Sequence, residues 1–91
     1  MPQTRVQVIN EVGLHARPAS LFIQGASEFQ SNIEVRNETT GSDWVDAKSI
    51  LSVLMLAVEK DHYIELRAEG PDAEEAIKTL EELIESDFHV D

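Results

Sequence analysis

The sequence of 91 residues contains no cysteine, which excludes disulfide scaffolds, thiol catalysis and cysteine–zinc sites together. Basic residues are scarce: seven Lys and Arg stand against 18 Asp and Glu, a formal net charge of −11. So acidic a chain is a poor partner for nucleic acid, because neutralising phosphates supplies most of that affinity. It is equally unsuited to an anionic membrane surface. No apolar run approaches the length of a bilayer span, and the opening Met1-Pro2-Gln3-Thr4-Arg5 lacks the apolar core of a signal peptide, so a cytoplasmic address is expected. Low-complexity segments, internal repeats and linkers are missing too, so one domain over residues 1–91 is expected. A domain of this size buries only about three-fifths to two-thirds of its unfolded surface, and a deep catalytic pocket would compete with the core for side chains.

Most chemical motifs are absent as well. There is no glycine-rich phosphate loop, no pair of histidines four apart on a helix and no nucleophile elbow. The C-terminal glutamates follow no calcium-loop spacing and read as a solvated helix face, so no metal or cofactor is expected. His62 and His89 lie in polar company and read as solvated surface histidines.

What remains is an ordinary hydrophobic fraction of 42% with an uneven charge. Residues 1–58 hold four basic and six acidic side chains, net −2; residues 59–91 hold three and 12, net −9. At positions 4–9, Val6 and Val8 alternate with Arg5 and Gln7, the period of a half-buried strand. Pro18 suits the first turn of a helix, where the N–H it lacks would have had no partner. Ala19, Phe22, Ala26 and Phe29 then recur at threes and fours, predicting a helix to about Gln30, with Phe22 and Phe29 in the core. Ile33 and Val35 alternate with Glu34 and Arg36 as a second strand, and the turn formers of positions 37–43 before Trp44-Val45 predict a hairpin. Asp46 is expected to cap a helix carrying Ile50, Leu51, Val53, Leu54, Ala57 and Val58, although positions 53–58 also suit a buried extended run. Ile64, Leu66 and Ala68 alternate with Glu65 and Arg67 as a fourth strand. Asp72 and Glu75 form a capping-box-like pair before Ala73, Ala76, Ile77, Leu80, Leu83 and Ile84, which keep strict helical spacing. The order βαββαβα predicts an α+β fold of two layers, with three helices on one side of four strands.

One segment carries chemistry: Gly13-Leu14-His15-Ala16-Arg17-Pro18-Ala19. Its histidine falls just before a helix whose first N–H groups have no internal partners and favour an anion. Arg17 adds a permanent charge and a donor fork suited to phosphoryl oxygens. Imidazole is a nucleophile near neutral pH because much of it is uncharged there. A phosphoryl group on His15 fits this combination; a loop histidine that merely caps the helix is the alternative on residue chemistry alone.

This segment, together with Lys48-Ser49-Ile50 in the expected place, resembles the HPr family, the histidine-containing phosphocarriers of the bacterial sugar phosphotransferase system. The resemblance covers essentially the whole chain. It implies an open-faced sandwich, an antiparallel sheet covered on one face by three helices. It implies a stoichiometric carrier, not an enzyme with its own turnover. His15 would take the phosphoryl group at Nδ1 from phosphorylated enzyme I and pass it to enzyme IIA domains of sugar permeases, with Arg17 steadying the group. Ser49 would match a regulatory serine modified in some branches by a dedicated kinase/phosphorylase, with transcriptional regulators as further partners. Ala16, Pro18, Lys48, Ile50, Leu51 and Leu54 would belong to the docking surface, Leu51 and Leu54 as an exposed apolar patch; Val53 and Ile50 are also expected to pack inward. Ser52 stands where the family often has glycine or a basic residue, Gln24 and Ser27 stand where some members are basic, and the loop 39–43 is slightly long. Two other readings are a carrier for a nitrogen-related or dihydroxyacetone kinase phosphorelay, and a binding module acting only through phosphorylated Ser49. A monomer suits a carrier that meets two partners in turn.

Overall fold

The computed structural model describes residues 2–88, which leaves His89 outside the described residues. The period-two segments form β1 (Gln3–Gln7), β2 (Asn32–Asn37), β3 (Val45–Asp46) and β4 (Tyr63–Glu69), and the longer apolar periods form α1 (Ala16–Ser27), α2 (Ile50–Met55) and α3 (Ala73–Glu85). The strands make one antiparallel sheet in the order β1-β4-β2-β3. Register sets Val6 opposite Ile64, Val35 opposite Leu66 and Ile33 opposite Ala68. All six are buried, so a slip of one residue would turn this entire set out to water. Helix residues Phe22, Val53, Leu80 and Ile84 are buried in the same core. The sequence reading of a two-layer α+β fold is therefore what forms.

The other side of the sheet is polar. Arg36 pairs with Glu65 at 2.6 Å, Arg67 with Glu34 at 2.8 Å and Arg5 with Glu38 at 2.7 Å. The Arg67 guanidinium also lies 4.0 Å from the centroid of the Trp44 ring. Such pairs contribute about 0–1 kcal/mol each at a surface, but they occupy three of the chain's few cations away from the helices.

Several boundaries differ from the sequence reading. Strand β1 stops at Gln7, although Val8 stays buried and its N–H goes to the His62 carbonyl at 2.9 Å. Helix α1 ends at Ser27, not near Gln30, because the N–H groups of Gln30 and Ser31 go to the Asp72 carboxylate, each at 2.9 Å. That same engagement takes Asp72 away from capping α3: it makes no side-chain cap bond there, and the expected capping box does not form. Phe22 is buried as expected, whereas Phe29 lies beyond the helix and is half-buried against the core. Asp46 does not cap α2 either. It sits in β3 and accepts the Lys48 N–H at 2.9 Å, while Ser49 is the N-cap, its hydroxyl accepting from the Ser52 N–H at 3.3 Å. Helix α2 closes at Met55 because Ala57 takes a left-handed φ of 50°, and Val58 is buried from an irregular segment. His62 is not a solvated histidine: it is half-buried, and its Nδ1 meets Asn37 Nδ2 at 3.2 Å and the Glu59 N–H at 3.1 Å.

Candidate functional site

The site grows from a turn that only glycine can make. Gly13 has φ 62°, and a Cβ there would lie 2.1 Å from the Val58 carbonyl oxygen and 2.7 Å from Glu59 Cα. The Asn10 side chain closes the turn from within, its Nδ2 donating to the Gly13 carbonyl at 2.6 Å. Leu14 is buried, and its N–H donates to the Val58 carbonyl at 2.9 Å. With both residues before it anchored inward, His15 is turned out to solvent.

His15 is the N-cap of α1, with φ −81° and ψ −171°, and its carbonyl accepts the Ala19 N–H at 2.8 Å. Its side chain makes no cap hydrogen bond, so the imidazole is left to other work. The N–H groups of Ala16 and Arg17 have no backbone acceptor, and Pro18 has no N–H to place. No acidic residue occupies this first turn, which leaves the positive end of the helix dipole unneutralised. Arg17 is exposed and makes no ion pair among the described residues, unlike Arg5, Arg36, Lys60 and Arg67. An exposed imidazole, a free guanidinium and two unpaired N–H groups thus share one helix start. This arrangement can hold an anionic group near the ring without enclosing it.

Beside it runs a groove of about 530 Å³ lined by His15, Leu14, Val12, Leu54, Val58 and Lys60, among others. Lys60 Nζ is 3.0 Å from Glu11 Oε1, and that hydrogen bond raises the Lys60 pKa above its ordinary value. Leu54 brings α2 to this wall.

Other residues singled out from the sequence fall in different places. Ala16 is exposed and Pro18 half-buried, both in the first turn of α1. Leu51 at 66% and Leu54 at 40% exposure face water, and Val53 is fully buried. Ile50, expected to pack inward, is 42% exposed, because a helix begun at Ile50 turns Val53 inward and leaves its first residue outside. Lys48 is not gathered to His15. Its Nζ donates to the Phe29 carbonyl at 2.7 Å, past the far end of an α1 of 12 residues, about 18 Å long at 1.5 Å per residue. Sequence reasoning missed Ile9, Val12 and Met55, which are 46%, 54% and 76% exposed. Ile9 carried a usable signal: it falls on the outward register of the Val6–Val8 alternation. Met55 follows Leu51 by four, on the same helical face. Among the described residues, no group of three or more His, Asp or Glu is placed to hold a metal ion.

Comparison with known proteins bears on this arrangement. The family model described as "PTS HPr component phosphorylation site" matches residues 2–86. The phosphocarrier protein HPr of Neisseria meningitidis is 40% identical over 88 residues, covering 97% of this chain and 96% of that one. A multiphosphoryl transfer protein of Vibrio cholerae is 42% identical over 74 residues; the match covers 81% of this chain but only 18% of that protein. Among solved structures, HPr-C-His from Thermoanaerobacter tengcongensis superposes with a TM-score of 0.92 at 45% identity, covering 100% of this chain and 99% of that one. The HPr of Bacillus anthracis gives 0.84 at 40% identity, covering 91% and 95%. The chain therefore belongs to the HPr family, whose members are phosphocarriers of the phosphotransferase system and not catalysts.

Proposed function

We propose that this chain carries a phosphoryl group on His15 Nδ1, received from phosphorylated enzyme I and delivered to enzyme IIA domains of sugar permeases. The observation that carries the reading is the exposed His15 ring, free of any cap bond, at a helix start beside an unpaired Arg17. In the transfer, the Nδ1 lone pair attacks phosphorus while the bond from phosphorus to the donor's histidine breaks, and the donor nitrogen recovers its lone pair. Arg17 and the first-turn N–H groups neutralise charge on the phosphoryl oxygens. The group stays open to solvent, so a second partner can approach it in line and reverse the same step. A deeply paired site would hold the group too long.

Leu54 in the groove beside this ring, with Leu51 and Met55 exposed on the same helix, supports a docking surface on this side that takes in Ala16 and Pro18. On this reading the chain works in the cytoplasm as a monomer. Incubation with enzyme I and phosphoenolpyruvate should add one phosphoryl mass that mild acid removes, and His15→Ala should abolish it. A label that survives acid, or that persists in the alanine variant, would end the assignment.

Ser49 supports a regulatory addition to this reading. It is an N-cap whose hydroxyl already holds the Ser52 N–H, so a phosphate there would replace one cap by another without refolding α2. Its charge would then sit beside Ile50 and Leu51 and oppose docking. A serine kinase with ATP should give an acid-stable label that is absent in Ser49→Ala.

A further inference from the structure

Residues 56–60 form a wall against the His15 loop, yet their backbone is irregular, with φ of 50° at Ala57 and 72° at Asp61 just beyond. Two polar side chains, Asn37 and His62, hold the segment in place. Asn37 is fully buried at the end of β2, and its Nδ2 donates to the Leu56 carbonyl at 3.1 Å and lies 3.2 Å from His62 Nδ1. Its Oδ1 accepts the Thr40 N–H at 3.3 Å, so turning the amide over would set donor against donor. The Glu59 N–H meets the same His62 Nδ1 at 3.1 Å. Nδ1 therefore faces two donors, and only its lone pair can receive them, which assigns the ring proton to Nε2. The His62 backbone is itself fixed: its N–H donates to the Glu59 carbonyl at 3.1 Å, and its carbonyl accepts from Val8. One residue before Glu59, the Val58 carbonyl holds Leu14 and underlies Gly13, next to His15.

We propose that the neutral His62 ring, with Asn37, is a positioning device that holds the 56–60 wall against the His15 loop, and that a proton on Nδ1 opens that wall. The functional part of this proposal rests on the carrier reading of His15; the structural part does not. A protonated Nδ1 would point a third donor at two others, and both bonds would be lost, leaving Asn37 Nδ2 only its Leu56 partner and the Glu59 N–H without its own. Imidazole ordinarily changes charge between about pH 5 and 8. The strands meeting here carry Arg36, paired with Glu65, Arg67, paired with Glu34, and Tyr63 and Glu69; beside them stand Glu38, paired with Arg5, and in the loop Glu59, Asp61 and Lys60, which pairs with Glu11. Carboxylates, amines, guanidinium and phenol ordinarily titrate outside that window. His15 is the other histidine among the described residues, so the test must separate the two rings.

The experiment joins histidine nitrogen shifts and amide titrations by NMR with transfer kinetics from phosphorylated enzyme I. In the wild type, His62 should carry its proton on Nε2 above pH 7, and the Glu59 and Leu14 amides should shift together as that ring titrates. His62→Ala should raise the KM for transfer about tenfold, the equivalent of one net hydrogen bond, with kcat within about twofold. In His62→Asn, Oδ1 stands in for Nδ1 without titrating. This variant should restore the KM and remove the acid limb of the KM profile. A protonated Nδ1 at neutral pH, an unchanged KM in His62→Ala, or a His62→Asn variant as impaired as alanine would each overturn the proposal. If even the wild type accepts no phosphoryl group, the carrier reading fails, while the tautomer and the coupled amide shifts still decide whether His62 holds the wall.

Discussion

Replacing Gly13 by alanine tests the turn that presents His15, and its magnitude can be worked in two parts. The first is conformational: a φ of 62° costs an alanine about 1–2 kcal/mol. The second is steric. The new Cβ would fall 2.1 Å from the Val58 oxygen, 2.7 Å from Glu59 Cα and 2.9 Å from the Val58 carbonyl carbon, all backbone atoms that cannot swing aside. Relief requires the two segments to part by more than about 1 Å, which gives up the bond from Leu14 to Val58 and costs about 2–3 kcal/mol as overpacking and a lost hydrogen bond. The total, about 3–5 kcal/mol, is a large share of the roughly 5–14 kcal/mol expected for a domain of this length. Gly41 provides the control, because its φ of 75° is also left-handed but a Cβ there would meet no atom within 4 Å. Gly41→Ala should therefore lose only the conformational part. Urea unfolding of both variants beside wild type measures the difference, and the melting temperature of Gly13→Ala should fall by more than about 12 °C. Equal losses in the two variants would refute the claim that close backbone approach, and not φ alone, demands glycine before His15.

Three further outcomes follow from the same contacts. The Ser31 hydroxyl, then the Gln30 and Ser31 N–H groups, hold the Asp72 carboxyl below its ordinary value of 3.8, so its stabilisation is present above that pH and is lost as pH falls through the folded-state value. Asp72→Asn should lower the melting temperature at neutral pH and flatten the acid limb below about pH 4; an unchanged limb would show that these bonds do not couple to folding. Ser49→Asp should keep or slightly raise the melting temperature, since aspartate caps as well as serine, while raising the KM with enzyme I; a destabilised variant would contradict the cap assignment. Leu51→Glu should leave stability within about 0.5 kcal/mol and raise the same KM, whereas Val53→Ala should lose about 2 kcal/mol in urea unfolding and leave the KM unchanged. The reverse pattern would exchange their assignments.

The sequence by itself determined the elements that repeat. Val6, Ile33, Val35, Ile64 and Leu66 face the core because side chains alternate across a strand, and Ala76, Leu80 and Ile84 do so because helical spacing places them on one stripe. The His15 motif was legible for a local reason: a glycine, a histidine and a helix start lie within a few residues of each other. What the tertiary structure decided were choices among competing partners. Asp46 and Asp72 both looked like caps, but a carboxylate takes the donors that folding brings nearest, and for Asp72 those donors come from Gln30 and Ser31, over 40 residues away in the chain. Lys48 carried the right motif but was drawn to the Phe29 carbonyl. His62 looked solvated because its neighbours in sequence are polar; Asn37, from the end of β2, gave its ring a partner. Periodicity is written along the chain, whereas which donor meets which acceptor is settled only when distant segments are packed together.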